Sequence, residues 1–364
     1  MQPWNRKSHL STDEVNPDMR DNRGPTPLWW AAEGGHDEVV KLLLGRGDVN
    51  PNMADECGRT PLSQAARRGR DGVVELLLGR EDVNPDMPDN YGRTPLSWAA
   101  GSGHDKIMTL LLGRADVNPD RPDNGGRTPL SWAASHWRDG AAKLLMGRED
   151  VNPDIPDDGG RTPLSWAAKW GSWPVVELLL AREDINPNIA DDDGLTLLLW
   201  ATEWAQNRLV KLLLERGDVN PNIPDNAGRT PLSRATLRGG PAVVELLLAR
   251  GDVNPNIADS NGRTPLSWAA IGFHDQVVKL LLEREDVNPN MPDNDSRTPL
   301  SWAAESGRDG VVKLLLEREE VDANMPDNDS RTPLSWAAES GHDGVVKLLL
   351  ERKDATPACA TKTV

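Results

Sequence analysis

An all-α solenoid of ten stacked helix pairs, with hairpins or loops projecting between them, is the fold that three features of this sequence predict. Thr26, Thr60, Thr94, Thr128, Thr162, Thr196, Thr230, Thr264, Thr298 and Thr332 recur with 34 residues between every neighbouring pair and no insertion. The phrase RTPLSWAAESG stands unchanged at 297–307 and again at 331–341. Each period also holds two short apolar helical patterns and a proline-containing link, too little chain to bury an apolar face alone. Units of about 20–50 residues with a fixed period bury that face by stacking on their neighbours. The chain therefore reads as one array.

Within the unit Asp293 to Pro326, Thr298 followed by Pro299 predicts a helix start. The hydroxyl accepts a free backbone N–H, and Pro at the first helical position forfeits no bond. Leu300, Ala303 and Ala304 fall at i, i+3 and i+4 on one face, small enough for close helix approach, and Gly307 ends the helix. The second helix holds Val311, Val312, Leu314, Leu315 and Leu316, so only Lys313 and Glu317 form a polar stripe. A helix this apolar is expected to be covered on several sides. Two prolines and an Asp-Asn-x-Gly run then forbid helix and favour a tight turn, giving an extended hairpin or loop. Some ten non-helical residues per unit count against the tetratricopeptide repeat, another helix-pair array of about 34 residues.

The array is expected to run from residue 21 to 354, preceded by a degenerate half-repeat at 1–20 and followed by a disordered tail at 355–364. In the half-repeat, EVNPDM (Glu14 to Met19) is the tail of a repeat whose helices are missing, with only Leu10 where LLL should stand. Ten pairs with neighbouring helices about 8–10 Å apart would make a curved rod on the order of 90–100 Å long. Acidic residues number 57 against 41 basic ones, a formal charge of −16. Nucleic acid and anionic membrane surfaces would be repelled, so neither is expected as a partner, and the chain is expected to be a monomer. Cys57 and Cys359 lie at opposite ends and are not expected to meet, and the N-terminus lacks the apolar segment of a signal peptide. That pattern fits an intracellular setting, cytoplasm or nucleus.

The wording G-R-T-P-L-S-W-A-A-x-x-G-H-D-x-V-V-x-L-L-L, with D-V-N behind it, closely resembles the ankyrin repeat, whose usual form has T-P-L-H-x-A-A, G-H, V-V-x-L-L-L and a G-A-D-V-N tail. The resemblance covers about 340 of the 364 residues. In particular the chain is similar to the Trp-rich ankyrin arrays of filamentous fungi, often joined to nucleotide-binding NACHT modules that are absent here. The resemblance implies an L-shaped stack with hairpins projecting to one side, and a concave face of hairpins and first helices that binds other proteins. It implies a non-catalytic scaffold or adaptor or, alternatively, a recognition arm derived from a larger NACHT-type receptor. Two departures stand out. The family's His is Ser63, Ser97, Ser131, Ser165, Ser233, Ser267, Ser301 and Ser335, with Trp29 and Leu199 in the other two repeats, so the hydrogen-bond role of that His does not carry over directly. The tail has become R-x-D-V-N-P-x-x-x-D, a longer link that accounts for a period of 34 instead of 33 and predicts a shifted hairpin.

Residues that recur in phase read as architecture. An Asp stands five residues before Thr in all ten repeats, from Asp21 to Asp327, suited to accepting turn N–H groups. Arg59, Arg93, Arg127, Arg161, Arg229, Arg263, Arg297 and Arg331 make a basic row beside it, either paired with those Asp residues or forming a phosphate-binding strip. Trp30, Trp98, Trp132, Trp166, Trp200, Trp268, Trp302 and Trp336 occupy one slot of eight repeats, where packing between first helices and an exposed ladder for ligands are both open. His36, His104, His274 and His342 share the G-H slot of separate repeats, too far apart to gather around a metal; a loop-stabilising role is expected, and no cofactor. No P-loop, G-x-S-x-G or paired Cys occurs, and every acid of note is repeated, which leaves an enzyme nothing singular to rest on.

Function is expected where repeats differ. Repeats nine and ten differ only at Arg308 and His342 between 291–317 and 325–351, whereas repeats four to six carry half of the 14 Trp. His136, Trp170 and Trp204 take equivalent places after Ala-Ala, and with Trp137 and Lys169 they form the candidate binding patch, suited to a protein partner offering a hydrophobic or basic peptide. Drift in middle repeats would leave the same cluster.

Overall fold

The computed structural model describes residues 15–22, 24–272 and 274–352; the expected C-terminal tail and most of the half-repeat, Leu10 included, lie outside them. Among the described residues there are twenty helices and no strand, alternating first and second helix of ten pairs from Pro27–Gly34 and Asp37–Leu44 to Pro333–Glu339 and Asp343–Glu351. The chain divides into two compact units, Met1–Ile185 and Asn186–Val364, so that repeats one to five and six to ten belong to different units. Inside each unit every first helix packs beside its own second helix and beside the first helix of the next repeat.

Each first helix begins as its sequence dictates. All ten Thr residues are N-caps in extended conformation, with the hydroxyl accepting the N–H three residues on, as from Ser97 to Thr94 at 3.2 Å. Such a cap stabilises its helix by about 1 kcal/mol. In eight repeats the Ser that replaces the family's His meets the same Thr hydroxyl, at 3.1 Å for Thr60 and Ser63 and 3.3 Å for Thr128 and Ser131. A buried hydroxyl pair thus takes the polar role at this position. The Leu one residue before that Ser fills the interior: Leu62, Leu96, Leu130 and Leu164 are at most 2% exposed, each burial stabilising by about 1.5–3 kcal/mol.

Second helices are covered on several sides, as their pattern predicts: Val311, Val312 and Leu315 are buried, Leu314 and Leu316 half-buried, and only Lys313 and the following Glu317 fully face solvent in that stretch. Their C-termini are closed by a device that spans repeats. The Arg just beyond one second helix donates to a carbonyl at the end of the preceding one: Arg80 to Leu44 at 3.1 Å, Arg114 to Leu78 at 3.1 Å, Arg148 to Leu112 at 2.7 Å, Arg250 to Leu214 at 3.2 Å and Arg284 to Leu248 at 3.1 Å. The Asp two residues on grips the same guanidinium through both oxygens, as Asp116 does Arg114 at 2.9 and 2.7 Å. A cation at a helix C-terminus also offsets the partial negative charge of its free carbonyls. The Arg hydrogen bond holds the carboxyls of Asp82, Asp116, Asp150 and Asp218 below the ordinary range.

The links form tight turns instead of paired strands. Asp89 donates its N–H to Arg93 and receives that of Gly92, both at 2.9 Å, while Asn90 donates to Cys57 of the preceding repeat at 2.9 Å. Gly92 has φ +78°, and a Cβ there would stand 2.5 Å from the backbone nitrogen of Asn124 in the next repeat. Ser296 and Ser330 accept the left-handed conformation at φ +61° and keep the turn bond at 2.9 Å, at a cost of about 1 kcal/mol relative to Gly.

Candidate functional site

Three rows that the sequence displays separately are one construction. The Asp before each turn has two duties: its Oδ1 accepts turn N–H groups, as Asp123 does from Gly125 at 2.9 Å and Arg127 at 3.0 Å. Its Oδ2 accepts the indole N–H of the Trp nine residues later: Trp98 to Asp89 at 3.1 Å, Trp132 to Asp123 at 3.0 Å, Trp166 to Asp157 at 2.9 Å, Trp268 to Asp259 at 3.0 Å and Trp302 to Asp293 at 2.8 Å. Exceptions follow the same chemistry. Arg234, standing where Trp would be, gives Asp225 its Nε–H at 2.8 Å, and where Gln64 interrupts the row Arg59 takes Asp55 at 2.9 Å.

With the carboxylate thus committed, the Arg row turns to the rings. Arg93 lies 4.1 Å from the centre of the Trp98 ring and 5.2 Å from that of Trp132, and Arg127 lies 5.1 Å from Trp132 and 3.9 Å from Trp166. Arg161 closes this run at 5.3 Å from Trp166. In the second unit Arg263, Arg297 and Arg331 alternate with Trp268, Trp302 and Trp336, the closest approach being 3.6 Å for Arg297 over Trp302. Each guanidinium over a ring contributes about 0.5–2 kcal/mol, more where water is excluded. Trp166 is buried and Trp30 exposed, while Trp98, Trp132, Trp268, Trp302 and Trp336 are half-buried with cations on their faces, so the two alternatives of helix packing and exposed ladder meet midway.

The aromatic residues that break the pattern sit differently. Trp137, Trp170 and Trp204 are 61%, 50% and 63% exposed. In the first unit the Trp137 indole N–H donates to the Trp170 carbonyl at 2.7 Å, joining the fourth repeat to the fifth. Lys169 is exposed with its ammonium 5.2 Å from the Trp166 ring, and the exposed His136 lies against Trp132, ring centres 5.4 Å apart. His136 Nδ1 lies 3.0 Å from both the Trp132 carbonyl and the Ser135 hydroxyl. The structure thus brings His136, Trp137, Lys169 and Trp170 into adjoining repeats of one unit; Trp204 belongs to the other unit.

A family model described as ankyrin repeats in three copies matches the chain in eight overlapping stretches, from 7–89 to 274–359. The chain belongs to the ankyrin-repeat family. No curated protein matches the ankyrin array significantly. Ankyrin repeats mediate protein–protein interaction, and the polar chemistry of this array, with its shared acceptors, stacked cations and exposed rings, is fitted to that role. Among the described residues of the array, no three His, Cys, Asp or Glu side chains gather as a metal site, and no helix is long and apolar enough to cross a membrane. The G-H slot is structural: His104 Nε2 lies 3.3 Å from the Arg67 carbonyl and His342 Nε2 2.9 Å from that of Glu305, each bridging to the preceding repeat. Sequence reasoning missed the Asp–Trp bond, although the constant nine-residue spacing and the Arg234 replacement signal it.

Proposed function

We propose that this ankyrin array is a non-catalytic scaffold or adaptor, intracellular, in cytoplasm or nucleus, that holds a protein partner on its concave face. Its anchors are Trp170 of the first unit and Trp204 of the second, with His136, Trp137 and Lys169 as further contacts. The observation that carries the reading is Trp137. Seven repeats place Gly at this position in the left-handed region, with φ between +64° and +77°, whereas Trp137 holds φ +57° with its ring 61% exposed. A bulky residue there costs about 1 kcal/mol relative to Gly, and exposure returns little of it to the core. Such strain is retained where the side chain serves a partner, and exposed aromatic rings are common binding anchors. Of the two expected peptide chemistries, the hydrophobic one is favoured in the first unit, because Lys169, next to Trp170 in the chain, and Arg161 bring positive charge to within 5.2 and 5.3 Å of the Trp166 ring.

The test separates binding from folding. In the Trp137→Gly, Trp170→Ala double variant the melting temperature should stay level, since the strain removed offsets the lost Trp137 hydrogen bond to the Trp170 carbonyl and little core is lost. Affinity for a partner captured by the wild-type chain should fall by at least about 2 kcal/mol. A variant that melts much lower and binds as before would assign both rings to packing.

A further inference from the structure

A cavity of about 300 Å³ opens between the third and fourth repeats, on the first unit, lined by Arg93, Ser97, Trp98, Ser102, Trp132, His136 and Arg138 with Gly101. Its lining holds two guanidiniums, an imidazole and two hydroxyls, and no carboxylate. In a chain of net charge −16 that composition is an island.

Neither guanidinium is paired with an acid among the described residues. Asp89, the carboxylate nearest to Arg93 in sequence, is spent on the Trp98 indole and the turn N–H groups of Tyr91 and Arg93. Arg138 uses its Nε–H on the Gly101 carbonyl at 3.3 Å, which fixes the guanidinium at the mouth. His136 Nδ1 is taken up by the Trp132 carbonyl and the Ser135 hydroxyl, each 3.0 Å away. The positive field extends along the array. Arg67, 5.1 Å from the Trp98 ring, is held below the usual arginine range by burial and by its neighbours Arg59 and Arg68, with Glu33 opposing and Arg93 adding to the effect. In the other direction the Trp132 ring is shared by Arg93 and Arg127 at 5.2 and 5.1 Å, so guanidiniums follow one another with a single ring between them. Residues three apart on a polyproline II chain share one face about 9 Å apart, a spacing that lets successive carboxylates meet guanidiniums that share one ring.

We propose that this cavity receives a carboxylate side chain of an acidic linear peptide, whose following acids run along the Arg93, Arg127 and Arg161 row. Planar guanidiniums held against rings are pre-organised for carboxylate forks. In the corresponding row of the second unit Arg297 and Arg331 are already paired with Glu305 and Glu339, which leaves the first unit's row the better receptor for such a peptide. Single-stranded nucleic acid is the lesser fit, because the Trp rings that would stack its bases already carry guanidiniums. This site does not depend on Trp137 or Trp170.

Fluorescein-labelled decaglutamate, followed by fluorescence anisotropy on the full chain, tests the assignment. The wild-type chain should bind it, less tightly as salt rises. Arg93→Gln and Arg138→Gln should each weaken binding by at least about tenfold, and Ser102→Asp, which puts an acid into the cavity without removing a cation, should do the same. Lys143→Gln, on the second helix, should leave binding unchanged. The proposal is overturned if wild type fails to bind decaglutamate, or if a ten-nucleotide oligothymidylate binds more tightly. It is equally overturned if Arg138→Gln and Ser102→Asp melt and bind as wild type does. Because the Trp137→Gly, Trp170→Ala double variant should keep decaglutamate affinity, failure of the scaffold reading and failure of this one are separable.

Discussion

Asn52 and Asp120 stand at equivalent places in their links and differ by one atom's chemistry. Asn52 accepts the N–H of Asn84 at 2.9 Å and donates its amide to the Asp82 carbonyl at 2.7 Å. Asp120 accepts the N–H of Asn152 at 2.7 Å, but its Oδ1 is buried without a hydrogen-bond partner, where Asn would donate to the carbonyl thirty residues on. Burial, with Asp150 adding to it, raises the Asp120 carboxyl above its ordinary range, while the Asn152 N–H opposes. The folded state therefore holds this proton more tightly than the unfolded one. Its stabilising contribution is complete below the ordinary carboxylate range and is lost as pH rises through the folded value. Asp120→Asn should accordingly stabilise the first unit by about 1 kcal/mol at neutral pH, a gain that shrinks in acid, as denaturant midpoints measured across pH would show. The same position is Asp86 one repeat earlier, where burial raises the carboxyl against the pull of Arg121, 3.0 Å away. Asp86→Asn should gain less, since it also removes that ion pair.

At the scale of one helix, the cap that crosses repeats is the sharper lever. Arg114→Met should cost about 1–2 kcal/mol, because the Leu78 carbonyl loses its donor and Asp116 its cation, and denaturant unfolding should move to lower midpoint with unchanged slope. Trp132→Phe isolates another bond: the ring still stacks on Arg93 and Arg127 while Asp123 Oδ2 loses the indole, a loss of about 1 kcal/mol in the same measurement. These two devices also mark where sequence reading reaches its end. Helix starts at Thr-Pro and the left-handed Gly at Gly69 or Gly103 were legible, since their causes lie within a few residues. The Arg114 cap was not, because its acceptor is 36 residues away and becomes a neighbour only after stacking. The candidate residues were legible by departure from the repeat; the strain at Trp137 was not, since φ is set by the turn it inherits.

Across the molecule, cover for the second helices is unequal. Val73 is fully buried, yet its counterpart Val39 in the first repeat is 46% exposed and Leu42 74%, and in the last repeat Leu350 is 62% exposed. Amide hydrogen exchange should therefore be fastest in the first repeat of the first unit and the last repeat of the second. Slowest exchange at those two places would contradict this. Inside each unit, the hydrogen bonds that tie neighbouring repeats span 30 to 37 positions, as from Asn52 to Asp82 and from His104 to Arg67, and the same donors and acceptors recur from repeat to repeat. A gene that recombines out of register by a whole number of 34-codon units therefore yields a longer or shorter chain whose new junction is already complementary. A slip of one codon would orphan the cap, the ladder and the turn together. The near-identity of 291–317 and 325–351 is what such an exchange leaves behind.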